Sequence, residues 1–404
     1  MPSQKRYRRG THRTLDPGAT VAALQPWLRP AGITRVANIT GLDVIGIPVV
    51  LVARPNARTN AVFQGKGLDL AAAKASGLME AIETWCAERV AKPPKRACAS
   101  AIDPSELPAD LGGLPLMAGV IFDADIPMLW TEGRDIRSGR AAWVPYELVH
   151  ADFRVPYMPA TGQFAASTSG LASGNNWLEA VSHGICELVE RDATALFKLH
   201  GGPAWERRVQ LSSIDDPDAA DLVERMRSAG LDVGVWDLTT DIRLPVFGCH
   251  IMEAEGGPDL LPLPAEGYGC HPDRSIALIR GLTEAAQSRL TALSGARDDI
   301  GPRFYGEPES ADTLTAWRRV LASKSWGKPF HECPNFNFET LEEDLECELH
   351  ALASAGMAEV FAVDIATETD FPFSVVRTII PGLEGELSPR FALGRRGQGT
   401  TRVR

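Results

Sequence analysis

At 404 residues, with 44% hydrophobic and 23% charged side chains, the chain has the composition of a globular protein with a substantial core, which excludes a largely disordered one. Its length allows one large enzyme domain or two or three compact lobes. The net charge of -11 argues against a nucleic-acid or anionic-membrane partner, because either would draw clustered Lys and Arg.

The basic N-terminal segment, residues 1–14, has no apolar core to follow it and does not read as a secretory signal. Nowhere does an apolar run approach the ~18 residues of a membrane span. Seven cysteines without CxxC spacing suggest reduced thiols and a cytoplasmic location. From Ile33 to Pro55 the Val- and Ile-rich pattern, broken by Gly and Pro, predicts strands. The turn Gln64-Gly65-Lys66-Gly67 then leads into a long helix from about Asp69 to Val90.

Residues 92–115 are Pro-rich and irregular, a soft candidate for a lobe boundary. Strands are expected at Gly119 to Phe122 and at Ala141 to Val144. The small, polar run from Ser167 to Asn175 suits a loop that admits a ligand, and a second long helix follows from about Asn176 to His200. A helix from Asp216 to Ala229 separates the strand candidates LDVGVWDL and LPVFGCHIM, which points to mixed layers of helix and sheet. GYGC reads as a strand before a third long helix, Asp273 to Leu293. One more helix is expected over 338–357, then closing strands in FAVDIA and FSVVRTIIPG, and a mobile tail over 394–404.

Taken at about 100° per residue, the three long helices share a design. In the first, Ser76, Glu80 and Glu83 fall within about 60°, opposite Leu78, Ile82 and Trp85. In the second, Glu179, His183, Glu187 and Glu190 lie within about 80°, with Arg191 at the stripe's edge. In the third, Arg280, Glu284 and Gln287 share about 60°. For any one helix a solvated polar face is the ordinary reading. The first two stripes, however, set like charges at i,i+3 without Lys partners, so a cation should neutralise them. Clustered carboxylate oxygens suit a hard cation such as Mg2+ carried with nucleotide phosphates.

No Walker A loop, no GxGxxG after a strand and no kinase motif set is present. Candidate phosphate contacts are Lys5, Arg9, Lys66, Arg191 and Arg297, each individually an ordinary surface charge. Cys249-His250 and Cys270-His271 lack the spacing of a zinc site, and no thiol stands out as a nucleophile.

The segments KASGLMEAIETWCAER, SGNNWLEAVSHGICELVERDA and GCHPDRSIALIRGLTEAAQSRL resemble the three signature segments of the YcaO family. The resemblance runs from about Arg8 to about Arg396. Its pattern SxxxExxE falls on Ser76, Glu80 and Glu83; NxxxE with ExxER on Asn175, Glu179, Glu187, Glu190 and Arg191; and ExxQ on Glu284 and Gln287. It implies an α+β fold of mixed sheets packed with long helices, in one domain, with an ATP site between the three acidic helices. By that resemblance ATP is bound by Ser76, Glu80, Asn175, Glu179, Arg191, Glu284 and Gln287, and Mg2+ by Glu80, Glu83, Glu179, Glu187 and Glu190; Lys5, Arg9, Lys66 and Arg297 join the nucleotide set as charge candidates for its phosphates.

The opening RGTHRTLDP, the segment ITRVANITGLDVIGIPVV and QGKG are most similar to the TfuA-associated, thioamide-forming subgroup. Azoline-forming relatives often end in PxPxP, whereas this chain ends GQGTTRVR. The resemblance thus implies O-phosphorylation of a peptide backbone amide, with a TfuA-like or other sulfur-delivery or peptide-recognition partner, and leaves a homodimer open. An azoline-forming cyclodehydratase, a nucleotide-binding regulatory module and a metal-dependent hydrolase are the competing readings.

Overall fold

The computed structural model describes residues 3–90, 94–154, 161–203, 205–255, 263–297, 300, 310–322, 327–366 and 371–401. In chain order it contains α1 (Pro17–Leu24), β1 (Arg35–Asn38), β2 (Val49–Ala53), β3 (Val62–Lys66) and α2 (Leu70–Ala87). There follow β4 (Lys95–Ala97), β5 (Met128–Asp135), β6 (Ala141–Pro145), β7 (Leu171–Gly174) and α3 (Trp177–Leu199). Next come α4 (Pro217–Ser228), β8 (Leu231–Asp237), β9 (Val246–Glu253), β10 (Ala265–Cys270) and α5 (Arg274–Ser294). The last are α6 (Ala311–Ala322), α7 (Leu341–Ser354), β11 (Phe361–Asp364), β12 (Ser374–Ile379) and α8 (Arg395–Thr401). This is the α+β mixture expected from the sequence.

The three long helices start where local chemistry lets them. Asn176 caps α3 by accepting from Glu179 N at 3.0 Å, and Asp273 caps α5 by accepting from Ser275 N at 2.8 Å. Helix α5 ends on Gly295 in the left-handed region at φ 56°, which a side chain would strain. Thr340 and Glu343 form a reciprocal capping box on α7.

Two compact units divide the chain: Met1–Lys5, Ile82–Gly202 and Phe338–Arg404 in one, Arg6–Ala81 and Pro203–Asn337 in the other. The division falls inside α2, so Ser76 and Glu80 belong to the second unit and Glu83 to the first.

In the first unit a six-stranded antiparallel sheet has the order β4-β5-β11-β12-β7, with β6 paired to β5. Register places Val376 opposite Ala172 and Arg377 opposite Leu171, so β12 runs beside the strand that leads into α3. Val181, Ile185 and Val189 of α3 are fully buried, as are Val376 and Phe361 of the sheet. The expected strand at Gly119 to Phe122 does not form. Ile121 there is 90% exposed, with no partner strand to give its apolar pattern a use. The strand lies later, as β5. Residues 95–97 of the Pro-rich excursion form β4.

The second unit holds two three-stranded antiparallel sheets, β1-β2-β3 and β10-β9-β8. Its main core joins Val233, Val235, Phe247 and Ile251 of the second sheet to Ala277, Leu278 and Leu282 of α5. Two close approaches need glycine. A Cβ on Gly65 of β3 would lie 2.0 Å from Gly77 N and 2.2 Å from Ala73 O of α2, and one on Gly267 of β10 would lie 2.3 Å from Gly281 O of α5. The glycines of QGKG thus press the first half of α2 onto β3 and display Lys66 beside it.

Candidate functional site

In the first unit, the expected acidic side chains are organised by hydrogen bonds rather than left as a solvated stripe. Glu83 accepts from Ser173 Oγ of β7 at 3.0 Å. Glu179 is 1% exposed, and its Oε2 accepts from both Asn175 N (2.9 Å) and Asn175 Nδ2 (2.8 Å). A carboxylate so desolvated is tolerated because charge-assisted hydrogen bonds offset the lost water. One turn before its end in the ExxER pattern, Glu187 accepts from Gly170 N at 3.2 Å and from Arg191 Nη2 at 3.2 Å. Glu190 is half-buried on the same helix.

Arg191 lies among anions. Burial alone would lower the pKa of its guanidinium, but Glu187, then Glu190 and Glu386, hold it raised. Its Nη1 stands 3.7 Å from Glu386.

Two residues of this set had no place in the helix patterns. Arg377, on β12, is 2% exposed; its Nε donates to Leu148 O and its Nη2 to Ser167 O. Burial lowers its pKa to about 10, against the opposing pull of Glu187 and Glu83. Glu386 follows β12 and reaches Arg191 from outside α3. The signal for Arg377 was a charge in the middle of the apolar run FSVVRTIIPG, since a buried charge in a strand needs a partner. No such signal marks Glu386.

In the second unit, Lys66 Nζ lies 2.6 Å from Glu284 Oε2 of α5, both side chains partly exposed. Gln287 Nε2 donates to Gln64 O at 2.9 Å, tying the third helix to the strand that ends in Lys66. Ser76 is exposed and Glu80 half-buried on α2, while Arg297 follows the C-cap of α5 and is half-buried.

The basic N-terminal residues are engaged elsewhere. Lys5 Nζ is buried against Asp344 (2.7 Å) and donates to Phe338 O at 2.9 Å within the first unit. Arg9 pairs with Asp218 at 3.0 Å in the second.

Glu83, Glu179, Glu187 and Glu190 each carry carboxylate oxygens in this unit, with Asn175 beside Glu179 and Arg191 beside Glu187. That donor chemistry fits a hard divalent cation bound with phosphate oxygens, since carboxylate oxygen suits Mg2+ and thiolate is absent from the set. Among the described residues, no helix is long and apolar enough to cross a membrane.

Comparison with known proteins adds a second line of observation. Residues 64–384 match the family model described as YcaO cyclodehydratase, ATP- and Mg2+-binding. A protein of Rhizobium leguminosarum bv. trifolii, named only as an uncharacterized protein in the tfuA 3' region, is 37% identical over 408 residues, covering 96% of this chain and 93% of its own. The solved structure described as a heterocyclase in complex with substrate and cofactor is similar at TM-score 0.77 and 22% identity over 98% of this chain, which spans 55% of that longer chain. YcaO from Methanopyrus kandleri, bound with AMPPCP and Mg2+, is similar at TM-score 0.74 and 21% identity over 95% of both chains.

Proposed function

The chain belongs to the YcaO family, whose members bind ATP and Mg2+, and from that premise we propose that it activates a peptide backbone amide to form a thioamide, working with a TfuA-type partner. The family supplies ATP-dependent amide activation. The observation that carries the finer reading is the 37% identical relative whose gene lies in the tfuA 3' region.

Amides are poor electrophiles, and their oxygen leaves badly. ATP, when bound with Mg2+, supplies the phosphoryl group that makes the amide oxygen a leaving group. A sulfide adds to the carbonyl carbon, the carbon–oxygen bond breaks, and phosphate carries the oxygen away. A neighbouring Cys, Ser or Thr side chain in place of sulfide would give an azoline instead. The chain's own contribution is positioning and charge neutralisation.

In the first unit, Glu83, Glu179, Glu187 and Glu190 hold Mg2+, with Asn175 orienting Glu179 and Arg191 serving both carboxylate and phosphate oxygens. In the second unit, Glu80 is a further Mg2+ ligand, and Lys66, Ser76, Glu80, Glu284, Gln287 and Arg297 serve the nucleotide. Arg9 becomes a phosphate contact on exchanging Asp218 for nucleotide. Lys5 is assigned to the nucleotide only as a basic residue of the N-terminal segment, and its buried pair with Asp344 must open for that role.

Release of phosphate from ATP that depends on both Mg2+ and a peptide tests the amide-activating role. Mg-ATP binding without such turnover, in the presence of peptide and partner, would favour a regulatory module instead.

A further inference from the structure

Residues 394–397, Gly-Arg-Arg-Gly, each meet a specific partner in the first unit. Gly394 N and Gly397 N donate to the two carboxylate oxygens of Glu384, at 2.9 and 2.7 Å. A Cβ on Gly394 would lie 3.0 Å from that carboxylate, a tight contact, and one on Gly397 only 2.5 Å, so an alanine at Gly397 would push the Glu384 carboxylate from its place. Arg396 Nε donates to Asp192 Oδ1 at 2.8 Å, and the same oxygen accepts from Glu384 N at 2.8 Å. Asp192 is wholly buried and Glu384 nearly so.

The neighbouring arginine differs. Arg395 makes a bidentate pair with Asp110 at 2.7 and 2.9 Å, and its side chain is 70% exposed.

Asp192 follows Arg191 on α3. Glu386, two residues beyond Glu384, faces Arg191 from the segment after β12. The knot of Asp192, Glu384 and Arg396 therefore fixes both sides of the Arg191–Glu386 pair: the helical turn that carries Arg191, and the segment that carries Glu386. Loss of Arg396 would leave the buried Asp192 carboxylate with the Glu384 N–H and without its cation, a cost that bears on the turn carrying Arg191.

We propose that Arg396 and the backbone N–H groups of Gly394 and Gly397 act with Asp192 and Glu384 as positioning groups for nucleotide binding, setting Arg191 against Glu187 and Glu386. This rests on the reading of Arg191 as a nucleotide residue. The segment acts through α3 and does not itself touch nucleotide or metal.

The test is Mg-ATP affinity by calorimetry, with denaturant stability measured in parallel, for the full chain carrying Arg396→Ala, Gly397→Ala, Arg396→Lys or Arg395→Ala. Arg396→Ala and Gly397→Ala are expected to weaken Mg-ATP binding about tenfold, while Arg396→Lys, which keeps a cation for Asp192, and Arg395→Ala, which loosens the same helix at its surface, stay within about threefold. Equal affinities for Arg396→Ala and Arg395→Ala would overturn the inference, whether both are native or both are weak. Should Gly397→Ala not fold, the comparison of the three arginine variants decides. Failure of the unaltered chain to bind Mg-ATP would instead sink the nucleotide reading, and it shows in that one sample alone.

Discussion

Lys66 Nζ stands 2.6 Å from Glu284 Oε2, joining the end of β3 to the face of α5 that also carries Gln287. As a partly exposed pair it contributes less than about 1 kcal/mol to folding, so Lys66→Met and Glu284→Gln should each leave the denaturant midpoint near native. Mg-ATP affinity is the sensitive quantity. Each change is expected to lower it by about tenfold or more in calorimetry, because a charge-assisted contact to phosphate or ligand is lost. Native affinity in both variants would remove this pair from the nucleotide assignment.

Glu187 and Glu190 lie three residues apart on one face of α3, and the single charge of Arg191, shared with Glu386, leaves a net negative charge there that a divalent cation would balance. Glu187→Gln and Glu190→Gln should therefore keep stability within about 1 kcal/mol of native in metal-free buffer. The rise in melting temperature that Mg-ATP gives the unaltered chain should disappear, since ligand stabilisation follows binding. A native-sized shift in either variant would contradict that residue's place at the metal.

Glu348, wholly buried on α7, accepts from Ser182 Oγ at 2.6 Å and Cys186 Sγ at 3.4 Å on α3. Burial raises its pKa well above the ordinary value, with Cys186 and Asp344 adding to the rise and the Ser182 hydrogen bond opposing it. The folded chain thus holds a proton that the unfolded chain releases. Its contribution is fully present below the unfolded-state pKa and is lost as pH rises towards the raised folded-state value. Glu348→Gln should be at least as stable as the native chain at pH 8 and should flatten the fall in urea midpoint between pH 5 and pH 8. An unchanged slope would place the titration elsewhere.

All seven cysteines are free thiols, and Cys86, Cys186, Cys249, Cys270 and Cys333 are buried. Burial first, then Glu348 and Asp344, pushes the thiol of partly exposed Cys347 up to about 12. Native labelling at pH 8 with a thiol reagent should therefore modify Cys98 first and spare the buried five until the chain unfolds. Rapid labelling of a buried cysteine would reveal a reactive thiol that these environments do not support.

Much of the fold was legible because α2, α3 and α5 are long, well-capped and strongly two-faced, and their patterned carboxylates carried the resemblance. The strand at Gly119 to Phe122 failed because a short apolar run says nothing about which strand will pair with it; β5 formed later, against β4, β6 and β11. Arg377 and Glu386 escaped the helix patterns because they come from β12 and the segment beyond it, brought to α3 by long-range pairing. The Gly- and Arg-rich end was expected to be mobile from composition. Residues 395–401 form α8 because Glu384, Asp192 and Asp110 each offer a carboxylate to that sequence, a fact of tertiary contact.

The central claim is amide activation leading to a thioamide, and mass spectrometry of a candidate peptide incubated with the chain, its partner, ATP, Mg2+ and sulfide tests it most directly. The expected result is a peptide with one oxygen replaced by sulfur, formed only with ATP and abolished by Glu187→Gln. Loss of one water without sulfur gain would contradict the thioamide and point to ring formation; replacement of oxygen by sulfur without ATP would contradict ATP-dependent activation itself.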